Sequence, residues 1–380
     1  MGVAAPLKIS ARVARVFLRR VHGLDDRFAD VGSALRHHGY VQIDPINICG
    51  RMHDLILRNR VTGYAEGDLG RHLHGDGLAA VTTARRAFEH HLPDTHVLVA
   101  FPLEAWPHLL AAFRHRAKSA GAWSGRLTPR ERELAPRILA EIAARGPISS
   151  DQIDDDRRGR RVWGTTTLAK ATLQKLFFHG RVLIARRNGI RRLYDLPERV
   201  LPADVLALPE LPVTDTARWL AVLKLRQRRL ALLKRQELAL VADLVQPVTL
   251  ETSDGIKLHC LRDDVAILEA CRAGSANLRA APLPEALLLA PLDPLIYDRR
   301  VTRDVWNFDY TWEAYTPAHK RVRGHYALPV LSGTEIVGHV EPKADRVARK
   351  LVIASRRLRR GYSSAPALKA LAGWLGLHMP

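Results

Sequence analysis

The sequence predicts an α+β chain, helix-rich at first and strand-rich toward its C-terminus. Three observations predict it. Apolar residues recur at helical spacing between residues 8 and 38; the order helix, helix, helix, hairpin runs from 134 to 197; and beyond 284 short runs rich in Val, Ile, Tyr, Trp and Leu alternate with Pro and Gly turns. With 380 residues, 47% of them hydrophobic, the chain exceeds a single ordinary core and divides into two to four compact units.

In the first segment Ile9, Val13, Val16 and Phe17 share a helical face, with Arg12, Arg15 and Arg19 opposing them. Gly39 ends a helix, Tyr40 to Ile43 run extended, and Asp44-Pro45 caps a new helix continuing through Met52, Leu55, Ile56 and Arg60. A helix then spans Leu134 to Arg145, a short one is capped near Ser149 or Ser150, and a longer one runs from Thr166 to His179, with Lys170 and Lys175 facing away from its apolar side. Strands Arg181 to Arg187 and Ile190 to Leu196 follow, joined by Asn188-Gly189, a type I′ hairpin signal. This is the winged-helix order. The hairpin carries Arg186 and Arg187 before its turn and Arg191 and Arg192 after it, which suits a wing reaching along a DNA groove or, equally in kind, a solvated tip. Pro202 to Pro212 reads as a linker, and Trp219 to Leu244 as one long, densely basic helical stretch. The strand-rich end closes on a helix near Ala365 to Leu377 and suggests a small β-barrel.

Charge narrows the partners. There are 59 basic against 39 acidic residues, a net charge of +20, and 48 of the basic residues are arginine, whose planar fork matches phosphate oxygens. Nucleic acid is the partner this favours over a membrane surface, because the charge is spread along the chain. No apolar stretch approaches a membrane span and no signal-peptide core is present, which places the protein in the cytoplasm, associated with the nucleoid. Cys49, Cys260 and Cys271 are far apart, and the histidines, including His90, His91 and His96, lack a ligand spacing, so no metal or other cofactor is implied.

The pair Gln42 and Asp44 holds the most chemistry. Two residues apart on an extended segment, both side chains share one face. A carboxylate and an amide on one face can hold and align the same water; alternatively Asp44 caps a helix and Gln42 bonds backbone. Arg51, His53 and Arg60 either contact phosphates or pack behind the motif.

Several segments together resemble the winged-helix DNA glycosylases of the YcaQ/AlkZ type. They are Gly39 to Pro45 with Arg51, His53 and Arg60; Trp163 to Thr166, Leu173 to Gly180 and Arg192 to Val200; then Leu289 to Leu295, Phe308 to Tyr310, Tyr315 to Ala318, Leu328 to Leu331 and Gly338 to Arg346. The match is weakest from about 205 to 280, and His90-His91-Leu92-Pro93-Asp94 departs from the family's aromatic and His-Glu pair after Phe88-Glu89. The resemblance implies three tandem winged-helix units, 1–125, 126–205 and 206–280, followed by a β-barrel domain with a terminal helix, 281–380. It implies a monofunctional, monomeric enzyme with Gln42 and Asp44 as catalytic residues, acting on duplex DNA with N7-alkylated or crosslinked purines. Arg51, His53, Arg60, Lys170, Lys175, Arg186, Arg187, Arg191 and Arg192 are the candidate DNA contacts. The competing readings are a winged-helix regulator without catalysis and an RNA-binding protein; the chain has no aromatic RNA-recognition motif.

Overall fold

The computed structural model describes residues 5–75, 85–93, 95–155, 157, 167–251, 255–274 and 286–379. Asp94 and the segment Trp163 to Thr166 lie outside them. The chain forms two compact units that interleave in sequence: one takes Met1–Gly39, Asp44–Asp68 and Ala217–Pro380, the other Tyr40–Ile43 and Leu69–Thr216.

Strand β1 (Leu7–Ile9) leads into helices α1 (Ala11–Val21), N-capped by the Ser10 hydroxyl, and α2 (Val31–His38), N-capped by the Asp30 carboxylate. Ile9, Val13, Val16 and Phe17 are buried together as their spacing requires. Arg19 does not oppose them in solvent: it is 2% exposed, with its guanidinium on Asp25 and the Gly333 carbonyl. Gly39 ends α2 at φ 80°, where a side chain would strike Leu223 at 2.4 Å. Strand β2 (Val41–Gln42) follows, then helix α3 (Met52–Arg58). Asp44 therefore caps no helix. Its carboxylate accepts the N–H of Ile46 in a tight turn, and the helix starts eight residues later.

Next come α4 (Asp68–His74), β3 (Ala87–His91), β4 (Leu98–Pro102) and α5 (Trp106–Lys118). In the second unit β2 and β3 flank β4, both antiparallel to it. Helix α6 (Pro129–Arg145) begins a full turn before Leu134, because Thr128 and Glu131 form a reciprocal capping box. A single 3-10 turn (Ser150–Gln152), helix α7 (Leu168–Phe178) capped by Thr167, and the hairpin β5 (Leu183–Asn188) and β6 (Arg191–Asp195) complete the anticipated order. Asn188 is paired with Arg191, so the turn residues are Gly189 and Ile190. Gly189 has φ 60° while Ile190 stays out of the left-handed region, which corrects the type I′ reading to the II′ pattern.

Pro202 to Pro212 is not a bare linker: short helices α8 (Pro197–Val200) and α9 (Ala203–Leu206) precede α10 (Val213–Arg228). The long basic stretch is two helices, α10 and α11 (Arg235–Val241), broken at Arg229, whose φ is 57° and whose guanidinium is buried against Asp264 and the His37 carbonyl. Strands β7 (Val245–Leu250) and β8 (Lys257–Leu261) and helix α12 (Val265–Gly274) follow. Parallel pairing of β1 with β7 draws the N-terminus into this sheet, in the order β1-β7-β8.

The C-terminal region holds β9 (Leu287–Leu288), α13 (Arg299–Trp306), β10 (Leu328–Ser332), β11 (Glu335–Asp345), β12 (Lys350–Leu358) and α14 (Ala365–Trp374). Among the described residues its sheet is open, ordered β12-β11-β10-β9, rather than a closed barrel. Strand β9 is too short to carry the ladder round to β12. One apolar face packs against α14, Cys49, Met52, Leu55 and Ile56, which fixes the segment after Asp44 on this sheet. Leu331 and Ile336 belong to the core around α1 and α13.

Candidate active site and nucleic-acid interface

The chain passes from the second unit to the first between Ile43 and Asp44. Gln42 is half-buried on β2, opposite Val99 of β4, and the Ile43 N–H donates to the Leu98 carbonyl, so this end of the motif is held as an edge strand.

Asp44 is 8% exposed. One oxygen takes the Ile46 N–H at 2.9 Å, and the other accepts no hydrogen bond from a described residue. Burial raises its pKa, and the Ile46 hydrogen bond only partly opposes this. In the same unit Tyr326 is fully buried, and its hydroxyl has no hydrogen-bond partner among the described residues. Burial, then the charges of Cys49, Asp44, Tyr310 and Asp54, push that phenol well above its ordinary value, so it stays protonated and able to donate. The ring of Trp312 meets Tyr326 edge-on at 6.2 Å, and burial pushes the Cys49 thiol up to about 12. Asp44 thus lies in poorly solvated surroundings, and the Tyr326 phenol that feels its charge is neutral. Sequence reasoning missed Tyr326; the only hint is its place just before Leu328 to Leu331.

The candidate DNA contacts sort by what already holds them. Arg51 stands at the N-cap position of α3, half-exposed and without a side-chain bond among the described residues. His53 is 7% exposed, 3.7 Å from Asp54, which is itself taken up by the Tyr64 hydroxyl. Arg60 is wholly buried: both terminal nitrogens bond Asp293, at 2.8 and 2.6 Å, and one also reaches the Ile56 carbonyl. That fork is spent inside the unit, so packing is the role the structure supports. Lys175 likewise does not face away, being 2% exposed and bonded to Glu131 at 2.8 Å and to the Arg126 carbonyl. Lys170, on the same helix, is exposed.

On the hairpin, Arg187 turns inward and grips both oxygens of Glu89, which also receives His74; Arg85 in turn bonds His74. These partners hold the buried Glu89 ionised, well below the usual carboxylate range, against the opposing cost of burial. Arg186 is half-exposed, Arg192 lies 6.0 Å over the Phe177 ring, and Arg191 pairs with Asp151 where both are open to solvent. Ile190 stands at the tip, 74% exposed. The divergent His90 and His91 are core residues. His90 bonds the Phe177 carbonyl and is held down to about 3 by burial first and then Arg116, and His91 stacks on Phe178 at 4.0 Å.

Comparison with known proteins decides the family. The family described as "DNA glycosylase AlkZ-like" matches residues 35–376, nearly the whole chain and both residues of the motif. The chain belongs to the AlkZ-like DNA glycosylase family. Among solved structures it is similar to the Streptomyces sahachiroi DNA glycosylase AlkZ, at a TM-score of 0.58 and 16% identity, over 98% of this chain and 100% of the other. At that identity the likeness speaks for the fold; the family match is what carries DNA glycosylase action and a role in repair. Among the described residues no helix is long and apolar enough to cross a membrane, and no three His, Cys, Asp or Glu residues gather to hold a metal.

Proposed function

We propose that the protein is a monofunctional DNA glycosylase that hydrolyses the N-glycosidic bond of N7-alkylated purines, and of purines linked across strands at N7. The observation that carries this is Asp44: a nearly buried carboxylate inside the family match, with one oxygen uncommitted and no cation paired to it among the described residues.

Alkylation at N7 makes the purine cationic, so it leaves the sugar as a neutral base and needs little help from an acid. The remaining task is the oxocarbenium-like charge left on the sugar. An ionised Asp44 in a poorly solvated site stabilises that charge more strongly than a hydrated one, and its free oxygen can orient the attacking water. Gln42, two residues earlier, supplies an amide that can both donate to and accept from the same water. No lysine occurs between Lys8 and Lys118, so nothing in this stretch offers an amine for a Schiff-base step, and the product is an abasic site.

A base tied to the opposite strand cannot swing into a deep pocket, so crosslinked substrates require the lesion to be met in place. Duplex DNA is the partner and a monomer the working form; tandem winged-helix units, with the hairpin Leu183–Asp195 as one wing, would provide the grip. The test is single-turnover release of base from duplex DNA carrying one N7-methylguanine or one N7-linked crosslink, comparing wild type with Asp44→Asn. Release by wild type and its loss in the variant, with DNA binding kept, supports the reading. Equal release by both removes Asp44 from the chemistry, and no release by either removes the substrate.

A further inference from the structure

A concave site lies in the same unit as Asp44 but does not include it. The cavity has a volume of 460 Å³ and opens between the end of α13, the start of β11 and the end of β12. That size falls within the roughly 300–1,000 Å³ typical of small-molecule sites. Four arginines line it, Arg15, Arg323, Arg357 and Arg359, against two carboxylates, Asp309 and Glu335.

These cations are oriented by the protein and only partly neutralised by it. Arg15, 17% exposed, is oriented by an Nε bond to the Val305 carbonyl and lies 3.6 Å from Glu335. Arg359 also engages Glu335, so one carboxylate serves two guanidinium groups. Arg323 donates to the backbone carbonyl of Asp309 and its charge also acts on the Glu313 carboxylate, while Arg357 is exposed with no bond to a described residue. A planar surface adjoins them: Phe308 lines the cavity, half-exposed, and is backed by Tyr310 at 6.2 Å with the rings 15° from parallel. Trp306, also on the lining, has an indole N–H without an acceptor among the described residues.

We propose that this cavity seats a nucleotide, with Arg15, Arg323, Arg357 and Arg359 holding its phosphate and Phe308 meeting its base. Guanidinium forks bind phosphate oxygens in bidentate fashion, and several line this one concavity. The backed ring offers the kind of π-face on which bases stack regardless of sequence. The nucleotide comes either from DNA held by the enzyme or from solution. Nothing here depends on Asp44 being catalytic.

The test uses the full-length protein with ¹⁵N-labelled tryptophan. The chain has seven tryptophans, and the indole resonance missing from Trp306→Phe identifies Trp306. Saturable movement of that resonance with deoxyadenosine monophosphate, weaker or absent movement with deoxyadenosine, and at least a five-fold loss of affinity in Arg357→Ala are the results expected. Because Arg357 is exposed, that variant should keep the wild-type melting temperature. A second arm adds undamaged duplex DNA. Movement with duplex assigns the site to strand phosphates; movement with the mononucleotide alone assigns it to a free ligand. An unmoved resonance with every phosphate ligand, or equal affinity in Arg357→Ala, overturns the proposal. Base release by Asp44→Asn is scored separately, so failure of either idea is read without the other.

Discussion

Replacing Arg60 by Met separates a structural arginine from a DNA contact. The Arg60 and Asp293 side chains are both 0% exposed and share two hydrogen bonds, so the substitution leaves Asp293 as a buried carboxylate supported mainly by the Leu295 N–H. Breaking such a pair from one side costs about 3–5 kcal/mol. For a cooperative unit of this general size each kcal/mol corresponds to roughly 2–4 °C, so the melting temperature should fall by roughly 6–20 °C. Replacing both partners, Arg60→Met with Asp293→Leu, removes both buried charges and should recover most of that loss. Thermal unfolding measures the three variants against wild type, and fluorescence anisotropy with a DNA duplex at several salt concentrations measures binding by the folded protein. The salt dependence should be unchanged in Arg60→Met. If the variant instead kept its melting temperature and its logarithmic salt slope shrank by about one, Arg60 would be a phosphate contact and the packing argument would be wrong.

Three further outcomes follow from burial. His22 and His38 are stacked, fully buried and held well below the ordinary histidine value, by burial first and then by the Arg60 charge. Below about pH 6.5 the unfolded chain binds protons that the folded chain refuses, so stability is complete above that pH and falls beneath it, by up to about 1.4 kcal/mol per pH unit for each histidine. A melting temperature that declines from pH 7 to 5, and declines less in His22→Phe/His38→Phe, is the expected pattern; equal declines would remove the histidines as its cause. Lys170→Ala should weaken DNA binding with no loss of stability, whereas Lys175→Met strands Glu131 and should destabilise by about 3 kcal/mol, both read by denaturant unfolding and anisotropy. Tyr326→Phe deletes a buried hydroxyl that has no partner among the described residues, so stability should hold or rise; a loss above about 1 kcal/mol would show that the hydroxyl is bonded in solution.

What the sequence made legible was periodic or local. The spacing of Ile9, Val13, Val16 and Phe17, and the order of elements from 129 to 195, need only neighbours along the chain, and both appear in the structure. Errors arose where a distant residue decides the outcome. Arg19 reads as solvent-facing until Asp25 and the Gly333 carbonyl receive it, and Lys175 until Glu131 does. Arg229 looks like one more charge on a long helix, yet its pairing with Asp264 accompanies the break between α10 and α11. The β-barrel reading was not met because strand composition does not specify closure: β9 has two residues and, among the described residues, the sheet stays open. At the site, the pattern Gln42-x-Asp44 was visible, but the surroundings of Asp44 were not, since Tyr326 and Trp312 come from more than 260 residues away.

This sorting bears on how a chain of +20 charge grips DNA. Counterion release counts only those cations that can approach a phosphate, so Arg60, Lys175 and Arg187, each bound to a buried carboxylate, contribute to net charge but not to the salt slope. Of the nine residues first considered, Arg51, Lys170, Arg186, Arg191 and Arg192 remain partly or fully open to solvent. Arg191 must exchange its exposed partner Asp151 for a phosphate, a small cost for a surface pair. A formal charge count therefore overstates the electrostatic grip, and the interface is better sought among these five, the arginines of the open cavity and the exposed members of the basic run Lys224 to Arg235. In that run Lys224 is tied to Glu237, Arg229 to Asp264, and Arg228 lies 3.6 Å from the Tyr297 ring centre, which leaves Arg226, Lys234 and Arg235 exposed.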